Sequence, residues 1–243
     1  MMAWHIGTSG WIYDHWRGLA YPPGTPARDR LGHYLARYAT VELNASYYRW
    51  PAEKTFADWA ARLPPGFTMS VKASRGLTHF RRLAGPEAWL ARMEAGLRHL
   101  GDHLGPLLVQ LPDWLAADHA RLDAFLALAT PRLRVAVEVR HPSWQVEETF
   151  ALLERHGAAY CVMSGAGLPC LPRATAPFVY VRLHGPDQGR LYGGSYSDAD
   201  LRRWADRLRQ WAAQGRETFA YFNNDGEGNA LRDADSLKAL LGA

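Results

Sequence analysis

Lysine is nearly missing from this chain: only Lys54, Lys72 and Lys238 are found among its 28 basic residues, and arginine supplies the rest. Cysteine is as scarce. Cys161 and Cys170 are too few for a disulfide framework and lack the paired spacing of a zinc site. Cys161 lies inside an apolar run and reads as a buried thiol. Long hydrophobic runs are absent too, which excludes a membrane-spanning helix. The opening MMAWHIGTSGW has neither a basic stretch nor a long apolar segment, so no signal peptide is expected and the location expected is cytoplasmic. A net charge of +4 admits an anionic ligand without demanding nucleic acid. There is no P-loop and no HExxH, and Ser9 in GTSG misses the G-x-S-x-G elbow of serine hydrolases.

What is present is a repeating alternation. Eight short apolar runs of strand character fall at about 4–8, 40–44, 67–72, 107–111, 135–139, 159–163, 178–183 and 218–222. Amphipathic stretches separate most of them, at 27–38, 53–62, 87–100, 119–129, 147–156, 198–213 and 233–241. Ser197 with Asp200 three residues on marks the start of the sixth helix. The prolines of 164–177 argue against a helix there, so the crossover after strand 6 is expected to be irregular. Connections from helix to strand are short and those from strand to helix long. Eight βα units within 243 residues therefore predict an α/β fold of one domain, residues 1–243, a TIM-type (β/α)8 barrel.

Polar residues recur at the ends of the runs, where a parallel barrel builds active sites. They include Glu42, Asn44, Lys72, Gln110, Glu138, Arg140, Arg182, His184, Asn223 and Asn224. Buried charge is costly without partners or a purpose, and this set exceeds what a packed barrel needs. Lys72 draws notice because a buried lysine can shift its pKa, whereas arginine cannot lose its proton. The pattern predicts Glu42, Lys72, Glu138 and His184 as catalytic. Ser9, Trp11, Asn44, Tyr48, Gln110, Arg140, Trp144, Arg182, Asn223, Asn224 and Asp225 are predicted to bind substrate. Rings crowd the same loops and either stack on a ligand or pack the loops down. Arginine forks and Lys72 favour a small anion over a divalent metal, so neither metal nor cofactor is expected.

The stretches GTSGWIYDHWRG, VELNASYYRWP, LVQLP, VEVRHPSW, VRLHG and YFNND resemble the YecE-like family, domain of unknown function family 72. The likeness runs from about Ile6 to Asp225 and implies a TIM-type barrel. Its signature positions here are Gly7, Ser9, Gly10, Trp11, Glu42, Asn44, Lys72, Gln110, Glu138, Arg140, Trp144, Arg182, His184 and Asn223 to Asp225. One departure is Ser164, where the family often has an aspartate after strand 6. The function expected is an enzyme acting on a small anionic molecule, phosphorylated or sugar-containing, by general acid–base chemistry at the barrel mouth. The alternatives are a metal-assisted phosphodiesterase or nucleic-acid binder, and a barrel that binds a ligand without turnover.

Overall fold

Short runs of β-branched, aromatic and leucine side chains become strands because such residues fit a pleated surface covered on both faces. In the computed structural model, which describes residues 4–242, they are β1 Trp4–Thr8, β2 Thr40–Leu43, β3 Thr68–Lys72, β4 Leu104–Gln110, β5 Val135–Glu138, β6 Ala159–Ser164, β7 Phe178–Leu183 and β8 Glu217–Phe222. Residues 1–3, where the signal-peptide reading begins, and residue 243, the end of the expected domain, lie outside the described residues. The helices are α1 Arg30–Leu35, α2 Glu53–Ala60, α3 Glu87–Leu97, α4 His119–Ala129, α5 Glu147–Arg155, α6 Asp198–Ala213 and α7 Asn229–Leu241. The parallel strands follow the order β1-β8-β7-β6-β5-β4-β3-β2, the topology of a TIM-type (β/α)8 barrel. Among the described residues no helix separates β6 from β7, as the prolines there predict. No helix among them is long and apolar enough to cross a membrane.

The chain divides into two compact units. The first holds the residues up to Glu42, Val162–Pro172 and the chain from Phe178 onward. In it β8 pairs with β1, from Trp4↔Thr218 to Thr8↔Phe222, and with β7, from Phe178↔Glu217 to Leu183↔Phe222. A parallel bridge, Ser9↔Glu42, ties the segment after β1 to β2. Ser197 caps α6 through a full capping box with Asp200, as the spacing predicts. Helix α1 is shorter than the 27–38 periodicity predicts, because Pro22, Pro23 and Pro26 keep its approach in turns.

The second unit holds Leu43–Cys161 and Arg173–Pro177. Its strands β3 and β4 slip register between Met69↔Leu104 and Val71↔Leu107, so β4 carries one extra residue. The cause is local: Pro106 has no N–H to give to the ladder, and a Cβ on Gly105 would lie 2.9 Å from the Ser70 amide nitrogen. Beyond the bulge, β4 and β5 run in register to Gln110↔Glu138, which sets the polar ends of two strands side by side. The register of β5 on β6, Ala136↔Ala159 and Val137↔Tyr160, continues the same layering.

Candidate functional site

Glu42 is a heavily partnered charge of the first unit. It is fully buried, and its two oxygens accept from Ser9 Oγ (2.5 Å), Tyr180 Oη (2.8 Å), Arg182 Nε (2.9 Å) and Arg182 Nη2 (2.8 Å). Arg182 is equally buried, and its planar fork matches the carboxylate. Four donors fill the acceptor positions of Glu42, so this group holds β1, β2 and β7 together and has little left with which to take a proton from a substrate. Tyr13 donates to the Ser9 carbonyl. Burial, then the charges of Asp225 and Glu42, push the Tyr13 hydroxyl well above its ordinary value. The Tyr180 hydroxyl is raised in the same way, by burial and then by Glu42.

His184 is fully buried and meets Asn223, whose Nδ2 lies 3.2 Å from Nδ1. With Asn223 donating, the neutral ring carries its proton on Nε2. Asn224 has a different occupation from the one its position suggests. Its amide donates to the Gly194 carbonyl (2.8 Å) and to Asp233 Oδ2 (2.7 Å). Asp233 also accepts from Ser195 Oγ (2.5 Å) and the Tyr196 amide (3.0 Å). This knot anchors the glycine-rich loop that follows β7. Gly185 closes the same loop with φ of 99°, where a Cβ would stand 2.1 Å from the Gly193 carbonyl oxygen. Burial raises the carboxyl pKa of both Asp225 and Asp233. Asp225 turns its carbonyl oxygen to His15 Nε2 at 2.7 Å, which ties two loops of this unit together. Ser164, at the family's frequent aspartate position, is met by Tyr196 Oη at 3.1 Å.

The second unit groups the remaining candidates. Glu138 is fully buried, and its Oε1 accepts from Arg140 Nε and Nη2, each at 2.7 Å. Its Oε2 lies 3.9 Å from the Cys161 thiol. Gln110 is buried beside it in the β4–β5 register. Gln110 Oε1 and Asn44 Oδ1 are buried and meet no hydrogen-bond donor among the described residues. Each such orphaned acceptor costs on the order of 1–3 kcal/mol, which a ligand donor would offset. Lys72 places its ammonium 4.4 Å from the centre of the Tyr47 ring.

His79 was not singled out by its place in the sequence. It sits in a π-helical turn, Gly76–Phe80, of a rare kind that is frequent at functional positions. Its ring meets Tyr47 edge to face at 5.1 Å. Burial, followed by the positive fields of Lys72 and Arg140, holds its pKa below the usual histidine value. A depressed pKa means that the fold favours neutral His79. Its contribution to stability is present above the unfolded value, about 6.5, and is lost as the pH falls through the folded one. Replacing His79 with Gln is therefore expected to narrow the loss of melting temperature between pH 7.5 and pH 5. An unchanged acid slope would mean that His79 does not feel this field.

The loop rings divide by role. Trp11, Trp16, Trp50 and Trp144 are buried, and Trp144 Nε1 donates to the Leu115 carbonyl at 2.9 Å, so these tryptophans pack loops down and do not form a stacking surface. Tyr48 is 64% exposed. Among the described residues, no group of three or more His, Cys, Asp and Glu side chains is placed to hold a metal ion.

The family model described as "Protein of unknown function DUF72" matches residues 5–243. The "UPF0759 protein YunF" of Bacillus subtilis (strain 168) is 27% identical over 98% of this chain and 94% of its own length. A solved DUF72 family protein of Thermotoga maritima MSB8, TM1631, superposes with a TM-score of 0.88 at 27% identity, covering 99% of this chain and 100% of that one. A second, EF0366 of Enterococcus faecalis V583, has a TM-score of 0.84 at 18% identity over 100% of this chain and 96% of its own, a likeness of fold.

Proposed function

We propose, for a chain that belongs to the DUF72 family, an enzyme that acts on a small anionic molecule by general acid–base chemistry. The site would lie at the C-terminal ends of β3, β4 and β5. The observation that carries this reading is a buried carboxylate, Glu138, whose Oε1 accepts from Arg140, near a His79 whose pKa is depressed first by burial and then by the charges of Lys72 and Arg140. Positive charge inside a poorly solvated site attracts an anion far more strongly than the same charge at the surface. Lys72 and Arg140 would hold the anionic group, and Lys72 would stabilise negative charge as it develops. Glu138, fixed through Oε1, would move a proton at Oε2. Asn44 and Gln110 would accept from hydroxyls of the substrate. In the first unit, Asn223 holds His184, while Glu42 and Arg182 keep the strands in place.

The phosphorylated class is tested with inorganic phosphate. At about 100 times its dissociation constant it should stabilise the protein by about 2.7 kcal/mol. The His79 titration midpoint, followed by NMR, should rise as phosphate neutralises the field of Lys72 and Arg140. Both effects should vanish in Lys72→Met. A flat thermal shift together with an unmoved His79 midpoint would overturn the reading.

A further inference from the structure

The long loops of the second unit expose an unusual amount of aromatic surface. Tyr48 after β2, Phe80 after β3 and Trp114 after β4 are 64%, 71% and 59% exposed, and the three strands are neighbours in the sheet. Water normally drives such rings inward, as it does Trp50 in the loop after β2 and Trp144 in the loop after β5. Two of the exposed rings are organised. The Arg75 guanidinium lies 5.9 Å from the Tyr48 ring centre and 5.6 Å from that of Phe80, so a planar cation stands against both. Tyr48 meets Tyr47 edge to face at 4.9 Å, and Tyr47 carries the Lys72 ammonium on its face. An unbroken series of contacts thus runs from the buried cation Lys72 to the exposed ring of Phe80.

Resting on the reading above, we infer that the substrate is an anion carrying a planar aromatic ring. Lys72 and Arg140 take the anionic group, and Tyr48, Arg75 and Phe80 form the surface on which the ring stacks. A guanidinium bracketed by two rings offers a flat π and cationic surface, which suits an unsaturated ring better than a puckered one. The π-helical turn serves this arrangement, because it sets His79 against Tyr47 and Phe80 near Arg75 within two successive residues.

The test compares the affinities of inorganic phosphate, cyclohexyl phosphate and phenyl phosphate by calorimetry. Stacking on one platform should make phenyl phosphate bind about tenfold more tightly than inorganic phosphate. Cyclohexyl phosphate, of similar bulk without a π face, should gain much less. The double variant Tyr48→Ala, Phe80→Ala, at exposed positions, should lose the phenyl gain and keep the affinity for inorganic phosphate. That pattern supports the inference. If inorganic phosphate binds through Lys72 but phenyl phosphate gains nothing, the inference fails and the anion site stands. Equal gains for the cyclohexyl and phenyl esters would also overturn it, by reducing the effect to apolar burial. If no phosphate binds at all, both readings fall together.

Discussion

Replacing Arg182 with Met should destabilise the protein by about 3–5 kcal/mol, the usual cost of leaving one member of a buried ion pair alone. For a chain of this size that corresponds to a fall of roughly 6–20 °C in melting temperature. Glu42 and Arg182 are each fully buried, with two hydrogen bonds between them. Without the guanidinium, the Ser9 and Tyr180 hydroxyls are left to solvate a full charge. A double variant, Glu42→Met with Arg182→Met, should recover at least half of the loss, because a buried pair exchanged for apolar side chains is often neutral or better. Calorimetric scans of the single and double variants check this. A single variant that loses less than about 1 kcal/mol would show the pair to be dispensable, and the assignment of Glu42 to holding the strands would fall.

Glu138→Gln should act on chemistry more than on the fold. The amide oxygen can still accept from Arg140, so the shape of the site is kept. Any turnover of a phosphorylated substrate should drop by about 10²–10⁴-fold, the usual contribution of a positioned acid or base. Affinity for inorganic phosphate should meanwhile rise a few-fold, since one negative charge has been removed beside Arg140. Turnover and affinity moving in opposite directions separates a catalytic role from collapse of the site. Unchanged turnover would take Glu138 out of the mechanism.

Much of the architecture was open to a reading of the residues, because strands and helices announce themselves through local periodicity. The eight runs and the bare crossover after β6 needed only apolar spacing, prolines and loop lengths. The cap at Ser197 needed two residues three apart. Boundaries were less visible: α7 begins at Asn229, four residues before its apolar pattern, after a left-handed Gly228. The helical periodicity of 87–100 also breaks early, α3 giving way after Leu97 to a 3-10 segment that ends at His103.

At the candidate site the residue types were legible and their occupations were not. Strand-end position marks Glu42 and Glu138 alike, yet Glu42 accepts from Ser9, Tyr180 and Arg182, whereas Glu138 meets Arg140 and the Cys161 thiol. The difference lies in Ser9, Tyr180 and Arg182, which are distant in sequence and arrive only through strand pairing. Asn223 and Asn224 are adjacent, yet one meets His184 and the other secures a loop to Asp233. His79 carried no motif, and only a π-helical turn brought it under the fields of Lys72 and Arg140. The sequence by itself determined the alternation of elements, the barrel topology and the inventory of charges, because periodicity and strand-end position are properties of neighbours along the chain. Tertiary structure alone decided which charges are spent on one another and which rings stay in water, because desolvation and ion pairing depend on distances that no local pattern encodes.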